Sequence, residues 1–248
     1  MSWRTVVISG RCKLDMSLGY LQVRREDVTR IHLSEIGTLI VESTAVSMTA
    51  ALLVELSRRK VKILFCDEQR NPAAELMPCY GSYDASGKLR SQIAWPKERK
   101  NLLWGTIIRE KIRKQQAMLL YAHEAERAQM LEAYAEHVEG ADASNREGHA
   151  AKVYFGGLFG AGFTRGDGCV VNQALNFGYA ILLSAFNREI VANGYVTQLG
   201  VFHDNVYNAF NLGCDLMEPL RPLIDNEVMN LRPETFEKEH KHALIRLL

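Results

Sequence analysis

The sequence lacks a cysteine framework, a long apolar run and an excess of charge of either sign. Its five cysteines are odd in number and scattered, without a Cys-x-x-Cys pair. This pattern is neither a zinc framework nor a disulfide scaffold, and it favours a reducing compartment. The longest nearly apolar run, "ALNFGYAILLSAF", is too short to span a bilayer, and the amino-terminal segment has no secretory pattern. We therefore expect a soluble, cytoplasmic protein with no membrane partner.

The charge is nearly balanced, because 30 basic and 29 acidic residues give a formal net charge of +1. Global charge therefore indicates no particular partner, and nucleic-acid binding would need local basic patches. One patch lies on a helix predicted after Pro96, in the sector of Trp104 and within roughly one third of the circumference. Its members are Lys97, Lys100, Lys111 and Lys114. A second patch, "SRRK", contains Arg58 and Arg59. Each patch is either a solvated face or a phosphate-tracking surface.

The pattern of apolar and polar residues changes near residue 92. Before it, short runs of β-branched and aliphatic residues between turn signals predict strands, and residues 44–60 predict one helix. The stretch "CYGSYDASGKLRS" predicts a loop or hairpin. After it the pattern predicts a long helix from Pro96 to about Gly140, a second over 145–159, a buried third over 172–194, and one or two more from His203 to residue 230. We predict an α+β fold with a small β-rich domain, residues 1–92, and a larger all-helical domain, residues 93–248.

One segment, "GVFHDNVYNAFNLGCDLMEPLRPLID", places a histidine and several acids in an otherwise apolar stretch. Asp215 and Glu218 are three residues apart and share a helix face. Carboxylates so placed suit Mg²⁺ or Mn²⁺, although such pairs also occur on solvated faces. Pro219 and Pro222 follow at once, which is unusual for a surface helix because each lacks an amide donor. His203 is either a hydrogen-bonded core residue or a ligand.

Two upstream features have plain interpretations when each is taken alone. Glu147 lies near a predicted helix start, where a carboxylate complements the helix dipole. The glycine-rich "FGGLFGAGF" has neither a preceding strand nor the lysine and serine or threonine of a Walker motif. It therefore predicts close helix packing or a turn, and not nucleotide binding.

Four strings occur in a fixed order along the chain: "REGHAAKVYF", "NQALNFGYAILLSAFNREIVANGY", "LGVFHDN" and "DLMEPLRPLID". Together they resemble the Cas1 family of CRISPR-associated adaptation integrases. Two more, "LWGTIIREKIRKQ" and "MPCYGSYDASGK", resemble the form found in type II systems. The resemblance covers most of the chain and implies a β domain followed by a helical catalytic domain, in agreement with the division made above.

The resemblance also implies a metal site. The family uses a glutamate of an EG-x-A helix, a histidine after a short G-x-x-H stretch and an acid of an EPFRP-like segment. Here these positions hold Glu147, His203 and Glu218, with Mg²⁺ or Mn²⁺ as the implied cofactor. Asp215 stands where relatives often carry a further acid, so it is an auxiliary ligand or a residue behind the ligands. Leu220 replaces a common aromatic residue, which is a conservative departure.

The implied function is that of a metal-dependent DNA endonuclease and integrase. It inserts short foreign DNA into a CRISPR array by transesterification of a 3′-hydroxyl onto repeat phosphodiesters. The implied partners are a second copy of the chain, a Cas2 dimer, duplex DNA with 3′-hydroxyl ends and leader–repeat DNA, with residues 1–92 making the dimer and partner contacts. In type II systems the effector nuclease and an accessory adaptation protein are added.

Three alternatives stay open at this point. The first is a stand-alone, structure-selective DNA nuclease that uses the same metal. The second is a catalytically silent DNA-binding subunit of the same complex. The third is an unrelated helical interaction protein with no affinity for divalent metals.

Overall fold

The computed structural model describes residues 4–79 and 82–247. The chain divides into two compact units, one up to Tyr83 and one from Asp84 onward, with residues 191–193 grouped with the first. Strands dominate the first unit and helices the second, which confirms the predicted α+β class. The division falls at residue 83, whereas the predicted boundary, residue 92, lies near the end of a helix. In the described ranges no helix is both long and apolar enough to cross a bilayer.

The strands of the first unit form two four-stranded sheets. In chain order they are β1 (Arg4–Ile8), β2 (Cys12–Ser17), β3 (Tyr20–Arg24), β4 (Val28–His32), β5 (Ile36–Val41), β6 (Val46–Met48), β7 (Lys62–Cys66) and β8 (Pro72–Leu76). One sheet has the order β1-β5-β7-β8, in which only the pair β7–β8 is antiparallel. The other has the order β4-β3-β2-β6, in which only the pair β2–β6 is parallel.

Both sheets and helix α1 (Ala50–Arg58) contribute to one aliphatic core. Apolar residues alternate with polar ones along β2, whereas β5 and β7 contain nearly continuous apolar runs. The turn between β2 and β3 consists of Leu18 and Gly19, with φ angles of 51° and 80°. Two-residue hairpin turns require such angles. The helix predicted over 44–60 is wrong in its first part, since residues 46–48 pair with β2 as a strand. Thr49 then caps α1 by accepting a hydrogen bond from the Leu52 amide.

The second unit is built around one long central helix. Its helices are α2 (Ala85–Ile93), α3 (Lys97–Tyr121), α4 (Ala125–Glu136), α5 (Arg146–Phe159), α6 (Val170–Ala192), α7 (Asn211–Met217), α8 (Arg221–Leu231) and α9 (Lys238–Ile245), with a 3-10 turn at Glu218–Leu220. The buried face of α3 includes Trp104, Ile108 and Ile112, and it shares a core with α4, α5 and the carboxyl end of α6. Helix α3 therefore forms the packed centre of this unit, around which the ends of the other helices are arranged.

The helix predicted from Pro96 to Gly140 is wrong in its continuity. It breaks after Tyr121, where His123 adopts a left-handed conformation with φ of 62°. The Glu124 amide donates back to the Leu119 carbonyl at 2.8 Å, which closes the end of α3. Neither glycine nor proline occurs at this break. It forms because α4 can then fold back and bury Ala128 and Leu131 against α3.

The loop predicted from "CYGSYDASGKLRS" is wrong from Ala85 onward, where α2 begins. Tyr80 and Gly81 lie outside the described residues. The helix is fixed at its far end by Gln92, which is buried. The Gln92 amide nitrogen donates to the carbonyls of Val196 and Leu199 at 2.9 and 2.8 Å. A distant segment therefore stabilises a helix whose serine and glycine content predicts a loop.

Candidate functional site

Glu147 lies in the first turn of α5, and its carboxylate is not needed to cap that helix. Asp142 accepts hydrogen bonds from the amides of Arg146 and Glu147, at 2.8 and 3.0 Å, and Asn145 accepts one from the Gly148 amide. A Cβ at Gly148 would lie 2.7 Å from the Asn145 side-chain oxygen, so glycine after the glutamate keeps this cap intact. Since other residues satisfy the exposed amides, the Glu147 side chain is available for another role.

Glu218 stands at the junction between α7 and α8. Its carboxylate is only 5% exposed, and Arg221 Nη2 contacts Glu218 Oε1 at 2.9 Å. Pro219 lies in the 3-10 turn that Glu218 begins, and Pro222 lies in the first turn of α8. Proline is tolerated in a first turn because the missing amide has no intrahelical partner there. The two prolines therefore mark a helix restart that holds the glutamate inward.

Lys111 joins the two glutamates. Its Nζ donates to Glu147 Oε1 at 2.6 Å and to Glu218 Oε2 at 2.5 Å. Burial by itself would lower the pKa of this ammonium, but the charges of Glu218 and Glu147 outweigh burial and raise the pKa. The structure therefore places one shared cation, an ammonium, between two of the expected metal ligands.

His203 lies in an irregular loop and not in a helix, so that part of the sequence prediction is wrong. Its Nδ1 is 2.6 Å from Asp215 Oδ1. This hydrogen bond raises the pKa of His203 above its ordinary value, and the charges of Asp215, Glu218 and Glu147 act in the same direction. An imidazole that donates from Nδ1 leaves Nε2 free to bind a metal. The side chain is 40% exposed, so the imidazole is partly accessible from solvent.

Asp215 is fully buried and organises the whole histidine loop. Its two oxygens accept hydrogen bonds from the consecutive amides of Val201, Phe202 and His203, at 2.5 to 3.1 Å. A Cβ at Gly200 would lie 2.7 Å from Asp215 Oδ2 and 2.3 Å from the His203 carbonyl oxygen, so only glycine fits there. Both carboxylate oxygens are therefore occupied by groups of the histidine loop, which favours the alternative that Asp215 is a residue behind the ligands.

Aromatic rings form a wall beside the histidine. Phe202 stacks on Trp104 with ring centroids 4.3 Å apart, and His203 meets Trp104 edge to face at 5.6 Å. Trp104 is buried on α3, whereas Phe202 is half exposed. The wall fixes the imidazole plane through packing as well as through Asp215.

A further buried acid of this segment, Asp225, was not among the predicted site residues. Asp225 accepts hydrogen bonds from the hydroxyls of Tyr154 and Tyr179. Arg221 lies over the Tyr179 ring, 4.6 Å from its centroid. The chain of contacts therefore runs from Lys111 through Glu218 and Arg221 towards Asp225.

Among the predicted DNA-binding residues, the assignment of Lys111 to an exposed basic patch is wrong. Lys97 and Lys114 are exposed and Lys100 is half-buried, whereas Lys111 is buried between the carboxylates. The sequence indicated the burial of Lys111, because Lys111 lies on the same side of the helix as Trp104, and that tryptophan packs inward. In the other unit Arg58 and Arg59 are exposed, and both contact Glu55.

The donor set of the site suits a hard divalent cation. Two carboxylates and an imidazole with a free Nε2 are ligands that Mg²⁺ and Mn²⁺ accept. In the part of the chain that the structure describes, no three His, Cys, Asp or Glu side chains converge as a metal cluster. The ammonium of Lys111 stands between the two glutamates instead, so the pair is already arranged around a cation.

Comparison with known proteins identifies the chain's relatives. The family model described as CRISPR associated protein Cas1 matches residues 5–244. A curated relative, the CRISPR-associated endonuclease Cas1 of Neisseria meningitidis serogroup C, is 36% identical over 233 residues. That alignment covers 93% of this chain and 76% of the relative.

Two solved structures share the fold. A casposase bound to integration product has a TM-score of 0.77 at 16% identity, with 98% of this chain and 81% of that chain covered. A partial Cas6-RT-Cas1–Cas2 complex has a TM-score of 0.64 at 17% identity, with 96% and 79% covered. At these identities the structures show a common fold alone.

Proposed function

The chain belongs to the Cas1 family of CRISPR-associated proteins, and from that premise we propose that it is an adaptation integrase. It inserts short foreign DNA into a CRISPR array by metal-dependent transesterification. The observation that carries the proposal is the pair Glu147 and Glu218 gathered around one cation, with His203 held nearby by Asp215. Such a site needs no covalent nucleophile, because it positions reactants and stabilises charge.

Glu147, His203 and Glu218 are proposed to hold Mg²⁺ or Mn²⁺. When bound, the ion supplies Lewis-acid stabilisation of the charge on the attacked phosphodiester and on the attacking and leaving oxygens. Asp215 fixes the imidazole tautomer through Nδ1, and Arg221 holds Glu218 through its second oxygen. The exposed fractions of His203 (40%) and Glu147 (29%) exceed that of Glu218 (5%). DNA therefore approaches from the side of His203 and Glu147.

The reaction exchanges one phosphodiester for another. The 3′-hydroxyl oxygen of the incoming DNA bonds to a phosphorus atom at a repeat boundary and releases its proton. The bond from that phosphorus to the 3′-oxygen of the target strand breaks, and that oxygen leaves as a hydroxyl after taking up a proton. Because the exchange is balanced in bond type, no energy-carrying cofactor is required.

The proposed assembly contains a homodimer of this chain, a Cas2 dimer, duplex DNA with 3′-hydroxyl ends and leader–repeat DNA. The likeness to a chain of a Cas1–Cas2 complex supports the Cas2 partner, and the likeness to a casposase bound to integration product supports the DNA substrates. We assign the dimer and Cas2 contacts to the β-rich unit. A type II effector nuclease and an accessory adaptation protein complete the set.

A second candidate, a stand-alone DNA nuclease, is favoured by the name endonuclease that the Neisseria relative carries. In that reaction water replaces the 3′-hydroxyl at the same site. The two candidates differ in product, because hydrolysis leaves a nick whereas transesterification joins two DNA molecules.

A strand-transfer assay tests the proposal. The protein and Cas2 are mixed with a labelled 3′-hydroxyl duplex and a plasmid carrying a leader and repeat, with Mg²⁺, Mn²⁺ or chelator. We expect metal-dependent joining that Glu147→Ala abolishes, a loss of at least about 10²-fold. Glu139→Ala, at an exposed acid in the connection between α4 and α5, is the matched control and should join normally. Nicking without joining would favour the nuclease, and DNA binding alone would leave a silent subunit.

A further inference from the structure

Lys111 is a buried lysine and not a surface one. It lies on the buried face of α3 beside Ile108 and Ile112, and its side chain is 10% exposed. Its ammonium makes two short hydrogen bonds, both to carboxylates that the proposed function assigns to a metal ion. An ammonium in this setting acts as the counter-charge of both glutamates.

Two positive charges face the two glutamates. Lys111 neutralises one negative charge, and Arg221, on the other oxygen of Glu218, supplies the second positive charge. A divalent ion bound to the same two carboxylates would lie close to the Lys111 ammonium in a partly buried cluster. Repulsion between two cations so close together is costly there, because it is weakly screened away from water. We therefore expect the ammonium and the ion to compete for the two carboxylates.

We propose that Lys111 is a resident cation that holds Glu147 and Glu218 together until a divalent metal displaces it. The inference rests on the proposed metal site and adds an internal competitor to it. Before metal binds, the lysine prevents the two carboxylates from repelling each other and keeps them near their final positions. The metal affinity is correspondingly lower than the two glutamates and the histidine would give without the lysine.

Direct metal binding tests this inference without any measurement of activity. Mn²⁺ is titrated by calorimetry into the full-length wild type and into Lys111→Met, which keeps the length of the side chain and removes the charge. We expect Lys111→Met to bind Mn²⁺ about tenfold or more tightly, since no buried ion pair has to be broken. Without metal, its unfolding temperature should fall by about 5 °C or more, and Mn²⁺ should restore it.

Lys114→Met is the matched control, because Lys114 lies one turn further along α3 and is exposed. It should change neither the Mn²⁺ affinity nor the unfolding temperature appreciably. If Lys111→Met does not fold, Lys111→Arg tests the same competition, and this variant, which keeps the charge, should bind Mn²⁺ no more tightly than the wild type.

Three results would overturn the inference. Equal or weaker Mn²⁺ binding by Lys111→Met would show that the lysine supports the metal instead of competing with it. Tighter binding by Lys111→Arg would show that its charge is irrelevant. Absence of Mn²⁺ binding in the wild type and in every variant would reject the metal site itself. The first two results, in contrast, would reject only the competition by Lys111.

Discussion

At the scale of single residues, Asp215 determines how His203 is presented. Replacing it by Asn weakens the partner of Nδ1 and turns an amide group towards the backbone amides of Val201 and Phe202. We expect Asp215→Asn to lower Mn²⁺ affinity by about 10- to 100-fold, as loss of a residue behind a ligand usually does. Asp204→Asn, an exposed acid in the same loop, is the matched control. Calorimetry that showed equal affinities in both variants would contradict this role.

Asp225 gives the second residue-scale prediction, which concerns stability against pH. Burial raises the pKa of Asp225 from 3.8 to about 6, against the effects of its tyrosine hydrogen bonds and of Arg221 and Lys111. Between these pKa values the folded chain holds a proton that the unfolded chain has released. The contribution of Asp225 to stability therefore falls as the pH rises from about 4 to about 7.

Asp225→Asn removes this dependence, because the amide does not titrate. The free energy of unfolding of the variant, relative to the wild type, should rise by about 2 to 3 kcal/mol between pH 4 and pH 7. Urea denaturation at several pH values measures it, with Asp204→Asn as an exposed control. A difference that stays constant with pH would mean that Asp225 is ionised throughout this range.

Single residues were also where sequence reasoning was weakest. Glu147 and Glu218 are 71 positions apart in the numbering, and nothing in their local patterns connects them. Only the resemblance to a family joined them with His203. The ion pairs of Lys111 were missed because its partners come from other segments of the chain. An ion pair between distant segments leaves no periodic pattern in the sequence. The burial of Lys111, in contrast, could be predicted, because Lys111 lies on the same side of the helix as Trp104.

At the scale of elements, the adjacent glycines of α5 give a matched pair. A Cβ at Gly157 would lie 2.6 Å from Leu119 Cδ2 and 3.1 Å from Arg127 Cδ, whereas one at Gly156 would meet nothing within 4 Å. We expect Gly156→Ala to stabilise the protein by about 0.5–1 kcal/mol through helix propensity. Gly157→Ala should destabilise it by about 1–3 kcal/mol, because Leu119 is fully buried and has little room to move. Urea unfolding of both variants measures this difference, and stabilisation by both would contradict the close packing.

The elements themselves were predictable where periodicity was local. The helices α5 and α6 match their predicted ranges closely, and the packing role predicted for "FGGLFGAGF" agrees with the contacts of Gly157. The break at His123 and helix α2 were not predictable, since tertiary contacts of Leu119, Ala128 and Gln92 decide them. Local propensity is a weak prior when such contacts compete with it.

At the scale of the whole molecule, the near-neutral charge means that the proposed DNA binding must depend on local patches. With Lys111 excluded, Lys114 is the exposed lysine of α3 nearest to the site in sequence. We expect Lys114→Glu to weaken duplex binding and to reduce the slope of log K against log salt by about one. Lys114→Arg keeps the charge and should leave the slope unchanged. An unaltered slope in Lys114→Glu would mean that Lys114 is a solvated surface residue that does not contact DNA.

The central claim is that Glu147, His203 and Glu218 together hold a divalent ion, and crystals grown with Mn²⁺ test it most directly. Anomalous scattering locates manganese independently of any assumption about the site. We predict a peak bonded to both glutamates and to His203 Nε2 at about 2.0–2.3 Å, with the Lys111 ammonium withdrawn from between the carboxylates. A map with no peak there, and with Lys111 still bridging Glu147 and Glu218, would contradict the account.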